Sequence, residues 1–128
     1  MKKIILLACV VGLFSFTSAY ATCNGGTEVT NTVGTTFCKS NVEMNWWSAA
    51  AWCKTNGLRL ATMYEMCPSW DGNPGSEKCP ELNGASEGYA WSATAYNDGA
   101  ALGVTFSDGI VDSFNYFRNQ EGRSAFCR

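Results

Sequence analysis

The chain has 128 residues, with nine basic side chains, eleven acidic side chains and no histidine. The lack of histidine excludes Ser-His-Asp and Cys-His nucleophile activation, together with the commonest general base. The acidic excess and the lack of any Lys or Arg run argue against nucleic acid and anionic membranes as partners, because both require a basic face.

Residues 1–21 have the pattern of a secretory signal peptide. Lys2 and Lys3 form its positive end, residues 4–16 are its apolar run, and it closes on Ala-Tyr-Ala, a small-x-small cleavage site. Cleavage would leave one mature domain, 22–128, with a net charge of −4 instead of −2 and no membrane span. We therefore expect a secreted protein, in the periplasm, on the cell surface or outside the cell.

Two other interpretations of this first segment are weaker. A membrane anchor would need about 20 apolar residues, which is longer than this run. Lipidation of Cys9 would leave only residues 4–8 ahead of the cut, whereas signal peptides usually carry about 7 to 15 apolar residues.

Removal of Cys9 with the signal peptide leaves an even number of cysteines. They are Cys23, Cys38, Cys53, Cys67, Cys79 and Cys127. In a short exported chain this predicts a disulfide framework, whose pairing the spacing alone leaves open. A zinc site is the alternative, but the close Cys-x-x-Cys pairs or histidines that such sites favour are missing. We predict no metal and no cofactor.

Local signals predict two short helices. Asn45 suits an N-cap, and apolar or small residues recur at helical spacing from Trp46 to Cys53. Gly57 supplies the left-handed residue that commonly follows a helix. The sequence Thr-Met-Tyr-Glu at 62–65 has the form of a capping box, which predicts a second helix.

The second half of the chain predicts a loop followed by strands. Residues 68–88 contain all three prolines and are polar, which is typical of a loop. The predicted strands are 89–94, a half-buried strand over 102–106, 111–117 and 124–127. A turn is predicted at 97–99, and Asp-Gly at 108–109 predicts a two-residue hairpin turn between Phe106 and Ile110. Helices followed by short strands indicate an α+β domain.

The sequence Met-Asn-Trp-Trp-x-Ala-x-x-Trp-Cys-x-x-x-Gly-x-x-Leu-Ala, from Met44, resembles the opening of a C-type lectin-like domain. The sequences 91–94, 104–109 and 125–128 resemble the short bacterial branch of that fold, found in the C-terminal domains of collagen-like adhesins and in repeated surface proteins. The resemblance implies a C-type lectin-like fold, with two short helices packed on a small, mainly antiparallel, disulfide-stapled sheet.

The resemblance also implies a disulfide pairing and indicates which motifs would bind calcium. The implied bridges are Cys53 with Cys127, Cys23 with Cys38, and Cys67 with Cys79. In the family, the long loop binds calcium and sugar through a Glu-Pro-Asn or Gln-Pro-Asp triplet and a later Trp-Asn-Asp. Neither motif is present. We therefore expect recognition without calcium.

Candidate ligand-binding residues lie in two polar stretches. Trp70 stands beside Asp71 in the polar loop, and an exposed amphipathic ring next to a carboxylate is a common anchor for sugars or protein surfaces. The full set of candidates is Trp70, Asp71, Asn73, Tyr96, Asn97, Tyr116 and Arg118. The alternative for each aromatic ring is that it folds back to cover a small core.

Catalysis is not predicted. Two carboxylates could cleave a glycoside, but nothing in the sequence places a particular pair together. A relative with this fold generates formylglycine with reactive cysteines, but such enzymes are far longer. The sequence therefore predicts a secreted or surface recognition module that binds protein or glycan through its loops, as an adhesin or host-interaction factor. The alternative is a structural or accessory subunit of a cell-surface assembly.

Overall fold

The computed structural model describes residues 23–73, 78–97, 99–112 and 122–128. The described residues form an α+β structure, as predicted, with two α-helices, one 3₁₀ turn and a six-stranded sheet. The strands are β1 (Gly26–Thr30), β2 (Thr36–Met44), β3 (Tyr89–Asn97), β4 (Ala100–Thr105), β5 (Ile110–Asp112) and β6 (Arg123–Cys127). The helices are α1 (Trp46–Thr55) and α2 (Met63–Met66), and the 3₁₀ turn is Pro80–Leu82. The predicted signal peptide lies outside the described residues.

The sheet is mixed, and its strand order is β1-β2-β6-β3-β4-β5. Neighbouring strands are antiparallel except for β3 and β6, which are parallel. The last strand of the chain therefore lies between two earlier ones and brings the C-terminal residues beside the N-terminal hairpin. Within the described ranges, neither helix has the length and apolar character needed to cross a membrane.

The two predicted helices are present, and both have the predicted caps. The Asn45 side chain accepts a hydrogen bond from the Ser48 N–H at 2.8 Å, and Gly57 follows the helix with φ +72°. In α2, the Thr62 hydroxyl accepts from the Glu65 N–H while the Glu65 carboxylate accepts from the Thr62 N–H, which is a complete capping box. These side chains satisfy main-chain donors that the first turn of a helix leaves unpaired.

The core contains two groups of buried side chains. In the larger group, Phe37 stacks on Phe126 with ring centroids 4.6 Å apart. The smaller group holds Trp91, which is fully buried and donates its indole N–H to the Met44 carbonyl at 2.8 Å. This hydrogen bond of Trp91 compensates for removing its indole nitrogen from water. Trp46 and Trp52 of α1 are partly buried against this second group.

The burial of strand β4 differs from the prediction. The alternation over 102–106 predicts a strand with one buried face, but every residue from Ala100 to Val104 is buried. The physical reason is that both faces are covered, because Leu102 and Val104 pack in the larger core group and Ala101 in the smaller one. Gly103 lies so near β3 that a Cβ there would stand 2.5 Å from the Ala90 carbonyl oxygen.

The predicted two-residue turn at 108–109 is also wrong. Thr105 pairs directly with Ile110, so four residues, 106–109, connect β4 to β5. Phe106 leaves the strand because its ring packs in the core, 5.5 Å from that of Phe126. Strand β5 ends at Asp112, and the rest of the predicted strand 111–117 lies outside the described residues.

All three disulfides have the pairing that the resemblance implies. They are Cys23–Cys38, Cys53–Cys127 and Cys67–Cys79. Cys53–Cys127 fastens α1 to β6, which places α1 on one face of the sheet. The region where β1, β2 and β6 meet is therefore held by two covalent links.

Candidate functional site

Trp70 is not the exposed anchor that the sequence predicts. It is 6% exposed and belongs to the larger core group. Its indole N–H donates to the Asn73 carbonyl at 3.0 Å, and its ring lies 4.9 Å from that of Tyr64. For Trp70 the alternative is therefore correct: the ring folds back to cover the core.

Asp71 and Asn73 are exposed, and their side chains stabilise their own turn. The Asp71 carboxylate accepts from the Asn73 N–H at 2.9 Å and from the Asn73 side-chain amide at 3.3 Å. This is the local bonding by which Asp forms turns. The structure brings these two residues and Trp70 together as a loop turn, with the ring facing inward.

The remaining predicted candidates lie apart from that turn. Tyr96 is 43% exposed near the end of β3, and the Asn97 side chain accepts from the Gly99 N–H at 3.0 Å. No hydrogen bond or ring contact within the described residues joins this hairpin to the turn at 71–73. Tyr116 and Arg118 lie outside the described residues.

The long loop also contains a buried acidic group. Glu81 lies beside the Cys67–Cys79 disulfide, with both sulfurs and a carboxylate oxygen within 4.8 Å of one another. The sulfurs are bonded to each other, so they are not thiolate ligands for a metal in this form. The Glu81 carboxylate accepts from the Ser69 N–H at 2.9 Å. That bond joins the start of the loop to the 3₁₀ turn.

A pocket opens where three strands lie side by side. Glu28 pairs with Cys38 and Cys38 pairs with Cys127, so the three side chains share one face of the sheet. Cys127 is bonded to α1, which identifies this as the face that α1 covers. The pocket has a volume of about 220 Å³. This lies below the roughly 300 Å³ at which sites for whole small-molecule ligands begin, so it suits one side chain or a small group.

The pocket has an apolar wall and a polar rim. Leu58 and the Cys23–Cys38 disulfide line the wall. Glu28, Thr36 and Arg128 line the rim, and all three are exposed. Glu28 makes no hydrogen bond or ion pair with another described residue, so its carboxylate is open to a ligand.

Arg128, in contrast, is already engaged. It donates to the Glu65 carboxylate at 3.0 Å, and Arg59 donates two further hydrogen bonds to the same carboxylate at 2.7 and 2.6 Å. The Arg59 hydrogen bonds are the largest cause that holds the pKa of Glu65 at about 2. Glu65 in turn raises the pKa of Arg59. This cluster ties α2 to Arg128, the residue that follows β6. Glu28 has no ion-pair partner among the described residues.

The rim brings together one carboxylate, one hydroxyl and one guanidinium, from Glu28, Thr36 and Arg128. No protein-family model matches the chain, and the comparisons with curated proteins and with solved structures found no match either. The candidate site is therefore defined by the geometry of this chain.

Proposed function

We propose that the protein is a secreted recognition module of C-type lectin-like fold that binds another protein or a glycan without catalysis and without calcium. The observation that carries the proposal is the pocket at β1, β2 and β6, where Glu28 presents a carboxylate with no partner among the described residues. Two disulfides adjoin this pocket. A surface that is already rigid loses little conformational entropy when it binds.

The proposed fold has support from the covalent framework. The Cys53–Cys127 bridge joins the first helix to a cysteine near the C-terminus, as the resemblance to C-type lectin-like domains implies. The strand that carries Cys127 lies beside the N-terminal hairpin. The missing calcium-binding triplet, together with an Asp71 carboxylate that bonds to its own turn, supports recognition without the ion.

The proposed location follows from the disulfides and the N-terminal pattern. Disulfides persist mainly in oxidising compartments such as the periplasm and the extracellular space. Three of them in a chain of this length, preceded by a signal-peptide pattern, support export.

The proposal is tested with a glycan array and a protein-partner screen of the oxidised protein. We expect saturable binding to one class of ligand that EDTA does not abolish and that Glu28→Gln weakens by about tenfold, equivalent to about 1.4 kcal/mol. Asp71→Asn, an equal change of charge at an exposed site on the loop turn, is the control and should leave binding unchanged. Absence of any ligand would contradict the proposal. If Asp71→Asn abolishes binding and Glu28→Gln does not, the binding site lies on the loop instead of the pocket.

A further inference from the structure

We infer that β1 is a docking edge for an extended segment of a partner protein, which adds to the sheet as a new strand and sets a Lys or Arg side chain against Glu28. This inference rests on the proposed recognition function and chooses protein over glycan. The juxtaposition that carries it is a regular edge strand whose exposed carboxylate lines the pocket.

Among the described strands, none pairs with the outer edge of β1. Strand β1 is the terminal strand in the sheet order, and its five residues pair with β2 without a bulge. At the opposite edge, Lys78 forms a bridge to Ile110 of β5, so that edge has an additional partner. No such bridge covers β1 within the described ranges. Natural edge strands discourage pairing with proline, a bulge or charged side chains, especially lysine. Strand β1 has no proline, lysine or bulge, and Glu28 is its one charged residue.

The hydrogen-bond pattern shows which main-chain groups face outward. The Asn41 N–H donates to the Gly25 carbonyl at 3.0 Å, and the Asn31 N–H donates to the Thr35 carbonyl at 2.9 Å. Hydrogen-bonded pairs alternate along an antiparallel ladder, so the main-chain groups of Glu28 and Thr30 point away from β2. An incoming strand can pair with these groups without disturbing the existing sheet.

The side chain of Glu28 specifies the charge of the partner. A residue placed directly opposite Glu28 on a new strand would share its face of the sheet and lie next to its carboxylate. Lys and Arg combine a positive end group with an apolar stem that packs on apolar surface. The stem can lie along the Leu58 wall of the pocket while the charge meets Glu28.

A second copy of this chain fits the same edge poorly. Antiparallel pairing of two β1 strands centred on Glu28 would place two carboxylates opposite each other, which destabilises the pair. The mature chain also has a net charge of −4, so two copies repel at long range. The Glu28 carboxylate therefore favours a basic segment of another protein over a second copy.

The test uses two synthetic peptides, Thr-Val-Thr-Lys-Thr-Val-Thr and the same sequence with Glu in place of Lys, titrated into the oxidised protein by fluorescence anisotropy. We expect the Lys peptide to bind about tenfold more tightly than the Glu peptide. Glu28→Lys should reverse that preference. Glu43→Lys is the matched control, because it makes the same charge change at an exposed position of β2 and should leave the preference intact.

A second variant tests the main-chain part of the inference. Thr30→Pro removes an outward N–H that β2 does not use, and should weaken binding of both peptides by about tenfold with little change in melting temperature. Equal binding of the two peptides, or a preference that Glu28→Lys does not reverse, would overturn the inference. So would a dimer in solution that Thr30→Pro dissociates, since the occupant would then be a second copy.

These outcomes separate the inference from the proposed function. If a ligand from the screens binds while neither peptide does, the docking edge is wrong and recognition stands. If neither the screens nor the peptides give binding, both are wrong.

Discussion

Trp70 shows how much one side chain can change the interpretation of a loop. Its neighbours in sequence are polar, and this context predicts an exposed ring. The structure instead buries the ring and satisfies its indole N–H with the Asn73 carbonyl, so burial leaves no polar atom unpaired. The loop around it therefore contributes to the core, and the proposed recognition surface lies elsewhere.

Trp70→Ala should lower the free energy of unfolding by about 3 to 5 kcal/mol, because it removes a large buried side chain and leaves a cavity. Trp47→Ala is the matched control, since Trp47 is 58% exposed and contacts Trp46 edge-on. We expect the control to cost about 1 kcal/mol. Urea denaturation of the oxidised proteins measures both, and equal losses would contradict the placement of Trp70 in the core.

The free energy of unfolding should depend on pH through Glu65. Its pKa is lowered from 4.5 to about 2 in the folded protein, chiefly by the Arg59 hydrogen bonds. The unfolded chain therefore takes up a proton first as the pH falls. The stabilisation is fully present above pH 4.5 and is lost as the pH falls from 4.5 through about 2.

Glu65→Gln should cost about 1 to 2 kcal/mol at pH 7, since the Arg59 side chain is 60% exposed and solvent weakens the pair. The difference between the two proteins should shrink between pH 4.5 and 2, as measured by denaturation at a series of pH values. Glu28→Gln is the control and should change stability little. A difference that stays constant with pH would contradict the role of the carboxylate.

The elements differ in how far the sequence could predict them. Caps are local, so Asn45 and the 62–65 box located α1 and α2 correctly. The burial of β4 and the departure of Phe106 from its strand depend on neighbours distant in sequence, which the alternation pattern does not contain. The pocket is a similar case, because Glu28 and Arg128 line one pocket only when β6 pairs with β2.

Gly103 tests the close approach of β3 and β4. Gly103→Ala would place a methyl group 2.5 Å from the Ala90 carbonyl oxygen, so the two strands must separate. We expect a loss of about 1 to 3 kcal/mol, the usual cost of overpacking. Ala95→Val adds volume at an exposed position of the same strand pair and should cost less than about 0.5 kcal/mol. Thermal unfolding compares them, and a neutral Gly103→Ala would contradict the packing.

At the scale of the whole molecule, the long disulfide joins the first helix to the last described strand. Cys53–Cys127 closes a sequence separation of 74 residues, which corresponds to about 4 to 5 kcal/mol in the chain-entropy account. It also fixes Cys127 of β6 to α1, beside the pocket that β1, β2 and β6 form. The same covalent link thus stabilises the fold and positions the candidate site.

Calcium should leave the stability of the molecule unchanged. The Glu-Pro-Asn or Gln-Pro-Asp triplet with which C-type lectins bind calcium is missing. The Asp71 carboxylate instead accepts hydrogen bonds from Asn73 in its own turn. Thermal melts with calcium and with a chelator should therefore coincide. An ion present at 100 times its dissociation constant would add about 2.7 kcal/mol, so a rise of several degrees with calcium would contradict this expectation.

Hydrogen exchange of the oxidised protein, with and without the ligand that the screens identify, tests the central claim most directly. Main-chain amides that become buried at an interface exchange more slowly. Recognition at the pocket predicts new protection in β1, in the adjoining start of β2 and at Arg128. Protection confined to the turn at 71–73 or to the hairpin at 96–99, with β1 unchanged, would contradict it.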